Sequence, residues 1–193
     1  MNRTEKRRQQ KLAKKNANRS PIKETQPNQH ALYNALQLHS AGKIVEAERV
    51  YKQILLSEPN HFVSIHNLGV IANQVGEHDI AVDLFKKALT IKTDYANAHN
   101  SLGNTFLEQG KIDEAIASYH KALAIKPDYA EVHNNLGNAL KEQGKLDEAI
   151  ASYHKALAIK SDFAESHNNL GVMLQEQGEL DEAIASYHKA LAI

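Results

Sequence analysis

The chain has 193 residues, with no cysteine, no tryptophan, and 23 basic residues balanced by 23 acidic ones. Without cysteine it has no disulfide framework, no cysteine-based zinc site and no thiol nucleophile, which weakly favours a cytoplasmic protein. No apolar run approaches the roughly 18 residues that a membrane span needs, and the basic N-terminus lacks the apolar core of a signal peptide.

The first segment of the chain is strongly basic. Residues 1–30 carry nine Lys and Arg against two Glu, and the segment contains few large aliphatic side chains. Such a segment cannot bury enough apolar surface to offset its ordering entropy. We therefore predict a disordered tail over residues 1–28 that mainly keeps the protein soluble. The alternative is a basic arm that contacts nucleic acid or an anionic surface.

From residue 29 to residue 193 the chain repeats one unit. Residues 99–132 and 133–166 agree at 26 of 34 positions. Self-similarity at a fixed period of this length is the signature of a stacked repeat array. The sequence predicts five copies, at about 28–61, 62–95, 96–129, 130–163 and 164–193, of which the last is incomplete.

Each copy divides into two helices, so the predicted fold class is all-α. In the fourth copy, Pro127 and Asp128 are expected to open the first helix, with the Asp128 carboxylate accepting from unpaired N–H groups. This helix should run from Ala130 to Gln143. A glycine follows it in every copy, where a left-handed residue is expected to end the helix: Gly42, Gly76, Gly110, Gly144 and Gly178.

The second helix of the fourth copy is expected to begin at Asp147-Glu148, which would cap it and complement its positive end, and to run to about Ile159. Apolar side chains recur at three- and four-residue steps along both helices, so each helix has one buried face. These positions in the fourth copy are Leu136, Leu140, Leu146, Ala149, Ile150, Tyr153, Ala156, Leu157 and Ile159.

Small and aromatic residues mark the contact between the two helices. Glycine inside a helix costs roughly 1 kcal/mol relative to alanine, so its recurrence there indicates tight packing. The internal glycines are Gly69, Gly103, Gly137 and Gly171. On the second helix, alanine stands at 47, 81, 115, 149 and 183, and a core aromatic stands at 51, 85, 119, 153 and 187.

This set of residues resembles the tetratricopeptide repeat. The resemblance rests on the period of 34, the Leu136-Gly137 pair, Ala149, Tyr153 and the boundary proline Pro127. It implies an α-solenoid of helix-turn-helix units wound into a right-handed superhelix. The first copy departs from the pattern, because it has Asn34-Ala35 in place of Leu-Gly.

A closer likeness concerns the segment NNLGNALKEQGKLDEAIASYHKAL. It is similar to long bacterial arrays and to the repeat half of O-linked N-acetylglucosamine transferases. In those enzymes a ladder of asparagines in the inner groove holds an extended peptide by its backbone. The matching register here is Asn67, Ser101, Asn135 and Asn169. One interpretation is therefore the substrate-recruiting part of a truncated glycosyltransferase of this kind.

Spacing places several asparagines on one helical face, since Asn134, Asn135 and Asn138 lie at i, i+1 and i+4. An asparagine amide both donates and accepts, which suits a peptide backbone. The hypothesis is a groove for a protein or extended peptide segment, and the alternative is a solvated polar face. The candidate partner-binding residues are Asn67, Asn100, Ser101, Asn104, Asn134, Asn135, Asn138, Asn168 and Asn169.

The sequence predicts no catalytic residues, no metal site and no cofactor. The histidines recur once per repeat, too far apart to reach within about 2.1 Å of one ion. Adjacent acidic residues on a helix point apart and do not form a catalytic pair. We expect a non-enzymatic scaffold or adaptor. Because the chain stops within a second helix, without a polar capping helix, self-association through the last repeat is also expected.

Overall fold

The computed structural model describes residues 27–193. The described residues form ten α-helices and no β-strand, which confirms the all-α prediction. The predicted tail lies outside the described residues, except that residues 27 and 28 begin the first helix. The helices are α1 (Pro27–Ser40), α2 (Ile44–Ser57), α3 (Phe62–Gln74), α4 (His78–Ile91), α5 (Ala96–Glu108), α6 (Ile112–Ile125), α7 (Ala130–Glu142), α8 (Leu146–Ile159), α9 (Ala164–Gln177) and α10 (Leu180–Leu191).

The described helices belong to two compact units. The first unit ends at Ser57 and contains the pair α1 and α2. The second unit begins at Glu58 and contains four pairs, from α3–α4 to α9–α10, each of which packs against the next pair along the chain. Within the second unit, successive first helices also contact one another, as α5 and α7 do. This is the stacked helix-turn-helix arrangement that the repeats predict.

The turn between the two helices of each pair depends on glycine. All five glycines that follow a first helix have positive φ, for example +77° at Gly144. This confirms the prediction that the chain needs a left-handed residue there, and a Cβ would strain that conformation.

The predicted helix caps are wrong in detail. The N-cap of α7 is Tyr129 and that of α8 is Lys145, and neither accepts a hydrogen bond through its side chain. Asp128 therefore lies one residue before the helix boundary. Asp147 and Glu148 do occupy the first turn of α8, where negative charge favours the helix N-terminus.

The aspartates of the second helices have a different partner, which explains why they do not cap. The Nε2 of Gln143 donates to Asp113 Oδ1 at 2.5 Å, and Gln177 donates to Asp147 Oδ1 at 2.6 Å. Each bond joins the end of one first helix to the start of the second helix in the preceding repeat. These carboxylates therefore hold neighbouring repeats together.

The core of the second unit lies between the paired helices. The predicted small and aromatic positions of the second helices are buried, with Ala149, Tyr153 and Ala156 all at 0 % exposure, except that Tyr187 is only partly buried. Leu136 and Leu140 are buried against them, whereas Ile159 is 43 % exposed and was wrongly assigned to the buried face. Ile159 ends α8, so the following turn leaves it in solvent.

The internal glycines allow the aromatic rings to reach the first helix. A Cβ built on Gly137 would lie 2.5 Å from Cε1 of Tyr153, on the second helix of the same repeat. Real Cβ atoms do not approach a ring this closely, so the prediction of tight packing is confirmed. In the first unit Ala35 occupies the glycine register, and both Ala35 and Tyr51 are fully buried.

Candidate functional site

The candidate site consists of asparagines on the first helices of the second unit. Because the repeats have a fixed period, residues at the same register stand side by side on α5, α7 and α9. We use the name asparagine row for Asn100, Asn104, Asn135, Asn138 and Asn169. All five are partly buried, which places them at the surface of the packed helices.

Hydrogen bonds connect the row across successive repeats. Asn135 Nδ2 donates to Asn100 Oδ1 at 3.1 Å and to Asn104 Oδ1 at 3.0 Å. Asn169 Nδ2 donates in the same way, at 3.2 Å to Asn134 Oδ1 and at 3.1 Å to Asn138 Oδ1. Since an amide nitrogen carries two protons, both donors of Asn135 and of Asn169 are used inside the array.

Two buried tyrosines fix the orientation of the row. The hydroxyl groups of Tyr119 and Tyr153 donate to Oδ1 of Asn104 and of Asn138, each at 2.8 Å. Burial raises the pKa of both tyrosines, and nearby carboxylates add to the effect, so the hydroxyls keep their protons and remain donors. The oxygen of each asparagine therefore faces inward.

The remaining polar groups of the row are not used by the protein. Among residues 27–193, nothing accepts from Nδ2 of Asn104 or Asn138, and nothing donates to Oδ1 of Asn135 or Asn169. Nδ2 of Asn100 likewise donates to nothing among these residues, so the row offers three amide donors and two acceptors, and the repeat that contains Asn135 and Asn138 contributes one of each. A peptide backbone carries an N–H donor and a C=O acceptor on each residue, so it requires both kinds of group.

Asn134 has a different role from the one expected. Its side chain is 0 % exposed. Its Nδ2 donates to Glu165 at 2.8 Å, and its Oδ1 accepts from Ser166 at 2.9 Å as well as from Asn169. With its groups bonded to the next repeat, Asn134 lies beneath the surface and joins α7 to α9.

The other candidate residues lie at the margins of the row. Asn67 donates to the Val63 carbonyl within its own helix at 2.8 Å. Ser101 Oγ is 2.9 Å from Nε2 of the buried His66. Asn168, the counterpart of Asn134 in the last repeat, is exposed and lines a shallow groove with Tyr187 and Leu191.

Sequence reasoning missed the tyrosine hydroxyls, although the repeats carry a signal for them. Where the aromatic is Tyr119 or Tyr153, the residue fifteen positions earlier is an asparagine that accepts from it. Where the aromatic is Phe85, which has no hydroxyl, that position is Val70. The signal covers only these repeats, because Tyr51 and Tyr187 have Leu36 and Val172 at that position.

The histidines that recur at one register act in the turns between repeats. His133 and His167 are buried, and their Nε2 atoms lie 2.9 Å from the Pro127 carbonyl oxygen and 3.0 Å from that of Ser161. A backbone oxygen accepts only, so Nε2 is the protonated nitrogen in each ring. These rings hold the turn that precedes their helix.

Across the described part of the chain, no group of three or more His, Asp or Glu side chains is arranged to hold a metal ion. None of the helices described is both long enough and apolar enough to cross a membrane.

Known protein families match this chain over its repeats. A family model described as TPR repeat matches residues 69–110, 103–144 and 137–178, and one described as tetratricopeptide repeat matches residues 164–193. Together they span more than half of the chain. No curated protein sequence matches it.

Solved structures share the architecture. The crystal structure of MamA is 28% identical with a TM-score of 0.70, covering 82% of this chain and 92% of its own. The thermophilic TPR protein TTC0263 of Thermus thermophilus is 25% identical with a TM-score of 0.73, covering 86% and 90%. PilF of Pseudomonas aeruginosa is 20% identical with a TM-score of 0.81, covering 86% and 75%, and shows the fold alone.

Proposed function

Because the chain belongs to the tetratricopeptide repeat family, whose members mediate protein–protein interactions, we propose that it is a non-catalytic scaffold or adaptor. The second unit holds an extended segment of a partner protein along the asparagine row. Self-association through α10 remains a separate prediction. Exposed apolar side chains on that helix, such as Ile184 and Leu191, are compatible with it.

One observation supports this proposal above the others. The row is fixed from within by Tyr119, Tyr153 and the inter-repeat bonds, and it leaves Nδ2 of Asn104 and Asn138 and Oδ1 of Asn135 and Asn169 for an external partner. Groups already held in place lose little conformational entropy on binding. In the proposed complex these amide groups contact the backbone of the partner segment, so we expect the row to tolerate many partner sequences.

The structure offers a substitution that separates binding from stability. In Asn104→Asp and Asn138→Asp, a carboxylate oxygen still accepts from the tyrosine hydroxyl and from the next asparagine. The outward N–H₂ donor is replaced by an acceptor, which repels a peptide carbonyl. The double variant should fold as the wild type does and bind extended peptides less tightly.

The probe is a set of uncharged peptides enriched on the full chain from a random phage-displayed library and then measured by fluorescence anisotropy. Asn34→Asp with Asn60→Asp adds the same charge at exposed positions outside the row and serves as the matched control. We expect at least about a tenfold loss of affinity in the row variant, which is the loss of one to two hydrogen bonds. Equal affinities in both variants, or failure to enrich any peptide, would reject the proposal.

A further inference from the structure

Negative charge is concentrated beside the asparagine row. The first helices of the second unit carry one lysine, Lys141, and five exposed glutamates. Ten of the eleven lysines in residues 58–193 lie instead on second helices or in turns. The glutamates are Glu108, Glu131, Glu142, Glu165 and Glu176.

Four of these glutamates share a regular relation to the row. Every asparagine of the row except Asn100 has a glutamate four residues away on its own helix, and residues at i and i+4 share a face. Four residues of helix correspond to about 6 Å, which is within the Debye length of about 8 Å at physiological salt. The pairs are Asn104 with Glu108, Asn135 with Glu131, Asn138 with Glu142, and Asn169 with Glu165.

The structure shows that this charge reaches the row and is not neutralised there. Glu165 accepts from Asn134 at 2.8 Å. After burial, Glu165 and Glu176 are the further causes that raise the pKa of Tyr153, whose hydroxyl donates to Asn138. Within the described residues, none of the five glutamates pairs with a lysine or an arginine. Glu108 accepts from Nδ2 of Asn73 at 2.8 Å and lies 3.5 Å from the His78 ring.

We infer that the segment held by the asparagine row is cationic, an extended stretch rich in lysine and arginine. This rests on the proposed function and adds the chemistry of the partner. The amides hold the backbone, and side chains of an extended segment alternate in direction along it. Basic side chains then reach the glutamates at either end of the first helices, whereas acidic ones are repelled.

The test uses the full chain and three fluorescent peptides of roughly twelve residues, enough to cross three first helices in extended form. They are alternating Ser-Lys, Ser-Gln and Ser-Glu sequences. The inference predicts that the Ser-Lys peptide binds at least about ten times more tightly than the Ser-Gln peptide, and less tightly as salt rises. The Ser-Glu peptide should bind most weakly.

A pair of charge variants distinguishes binding at the asparagine row from general electrostatic attraction to the protein. Glu131→Gln with Glu142→Gln removes two carboxylates beside the row. Glu114→Gln with Glu182→Gln removes two exposed carboxylates from second helices. We expect the first pair to weaken binding of the Ser-Lys peptide about tenfold, roughly threefold per carboxylate, and the second pair to weaken it less than about twofold.

Each other outcome overturns the inference in a recognisable way. An equal loss in both variants means that general attraction to the acidic second unit binds the peptide. Equal binding of all three peptides removes the charge preference but leaves the proposed function standing. If the Asn104→Asp and Asn138→Asp variant binds uncharged peptides normally, the proposed function itself fails.

Discussion

Replacing Gly137 with alanine tests whether the glycine–aromatic contact determines the packing of each repeat. The added Cβ would lie 2.5 Å from Cε1 of Tyr153 and 2.8 Å from both Cδ1 and Cζ. Carbon atoms in contact prefer about 3.5–4.0 Å, so the ring or the helix must move by about 1 Å. The ring cannot move freely, because it is fully buried and its hydroxyl donates to Asn138.

The magnitude follows from two opposing effects. Overpacking a core costs about 1–3 kcal/mol, whereas glycine to alanine within a helix gains about 1 kcal/mol. Because the ring is held in place, we take the upper part of the overpacking range, about 2–3 kcal/mol, and expect the free energy of unfolding to fall by about 1–2 kcal/mol. The measurement is urea denaturation, with the loss of helix followed by far-ultraviolet circular dichroism.

Gly171 provides a matched control in the same protein. Its added Cβ would lie 2.7 Å from Cε1 of Tyr187, but that tyrosine is only partly buried and its hydroxyl donates to the exposed Gln175. The ring can move, so Gly171→Ala should leave stability nearly unchanged. The reasoning is refuted if Gly137→Ala is as stable as the wild type, or if both substitutions cost the same.

Two further predictions concern the tyrosines. Tyr51 is fully buried and, within the described residues, its hydroxyl has no hydrogen-bond partner, so Tyr51→Phe should be neutral or stabilising. Tyr153→Phe should cost about 1 kcal/mol, because it removes the hydroxyl that donates to Asn138 and leaves that oxygen with Asn169 as its donor. Thermal denaturation of the two variants checks this, and a larger loss for Tyr51→Phe would contradict it. Burial raises the pKa of Tyr51 to about 12 and raises those of Tyr119 and Tyr153, so the contribution of these tyrosines to stability is complete below pH 10 and is lost as the pH rises above 10 towards the folded-state values. Relative to its own stability at neutral pH, the Tyr119→Phe, Tyr153→Phe double variant should therefore begin to denature at a higher pH than the wild type. An unchanged pH profile would exclude ionisation of these two tyrosines as the cause of alkaline denaturation.

The repeat period made most of the fold predictable. Gly144, Ala149 and Tyr153 recur at one register, and their roles require only local geometry: a left-handed turn, a small contact and a buried ring. The helix caps were not predictable in this way. Asp147 has the residue type and position of a cap, but it accepts from Gln177 in the next repeat, a contact that depends on how the repeats stack.

The same limit applied to the candidate site. Sequence spacing identified a polar face, but it could not separate the buried Asn134 from the adjacent Asn135, because the difference lies in contacts with other repeats: Asn134 bonds to the following repeat and Asn135 to the preceding one. Nor could it show that Tyr119 and Tyr153 orient the asparagines from below.

The bonds from Gln143 to Asp113 and from Gln177 to Asp147 both join residues thirty positions apart. An interaction with a constant sequence offset is copied whenever a whole repeat is copied. Duplication of a 34-codon block would therefore supply each new glutamine with an aspartate already in place, and deletion of a block would restore the same pairing between the repeats that remain. A gene of this kind can change the length of its product in whole repeats without a new stabilising mutation.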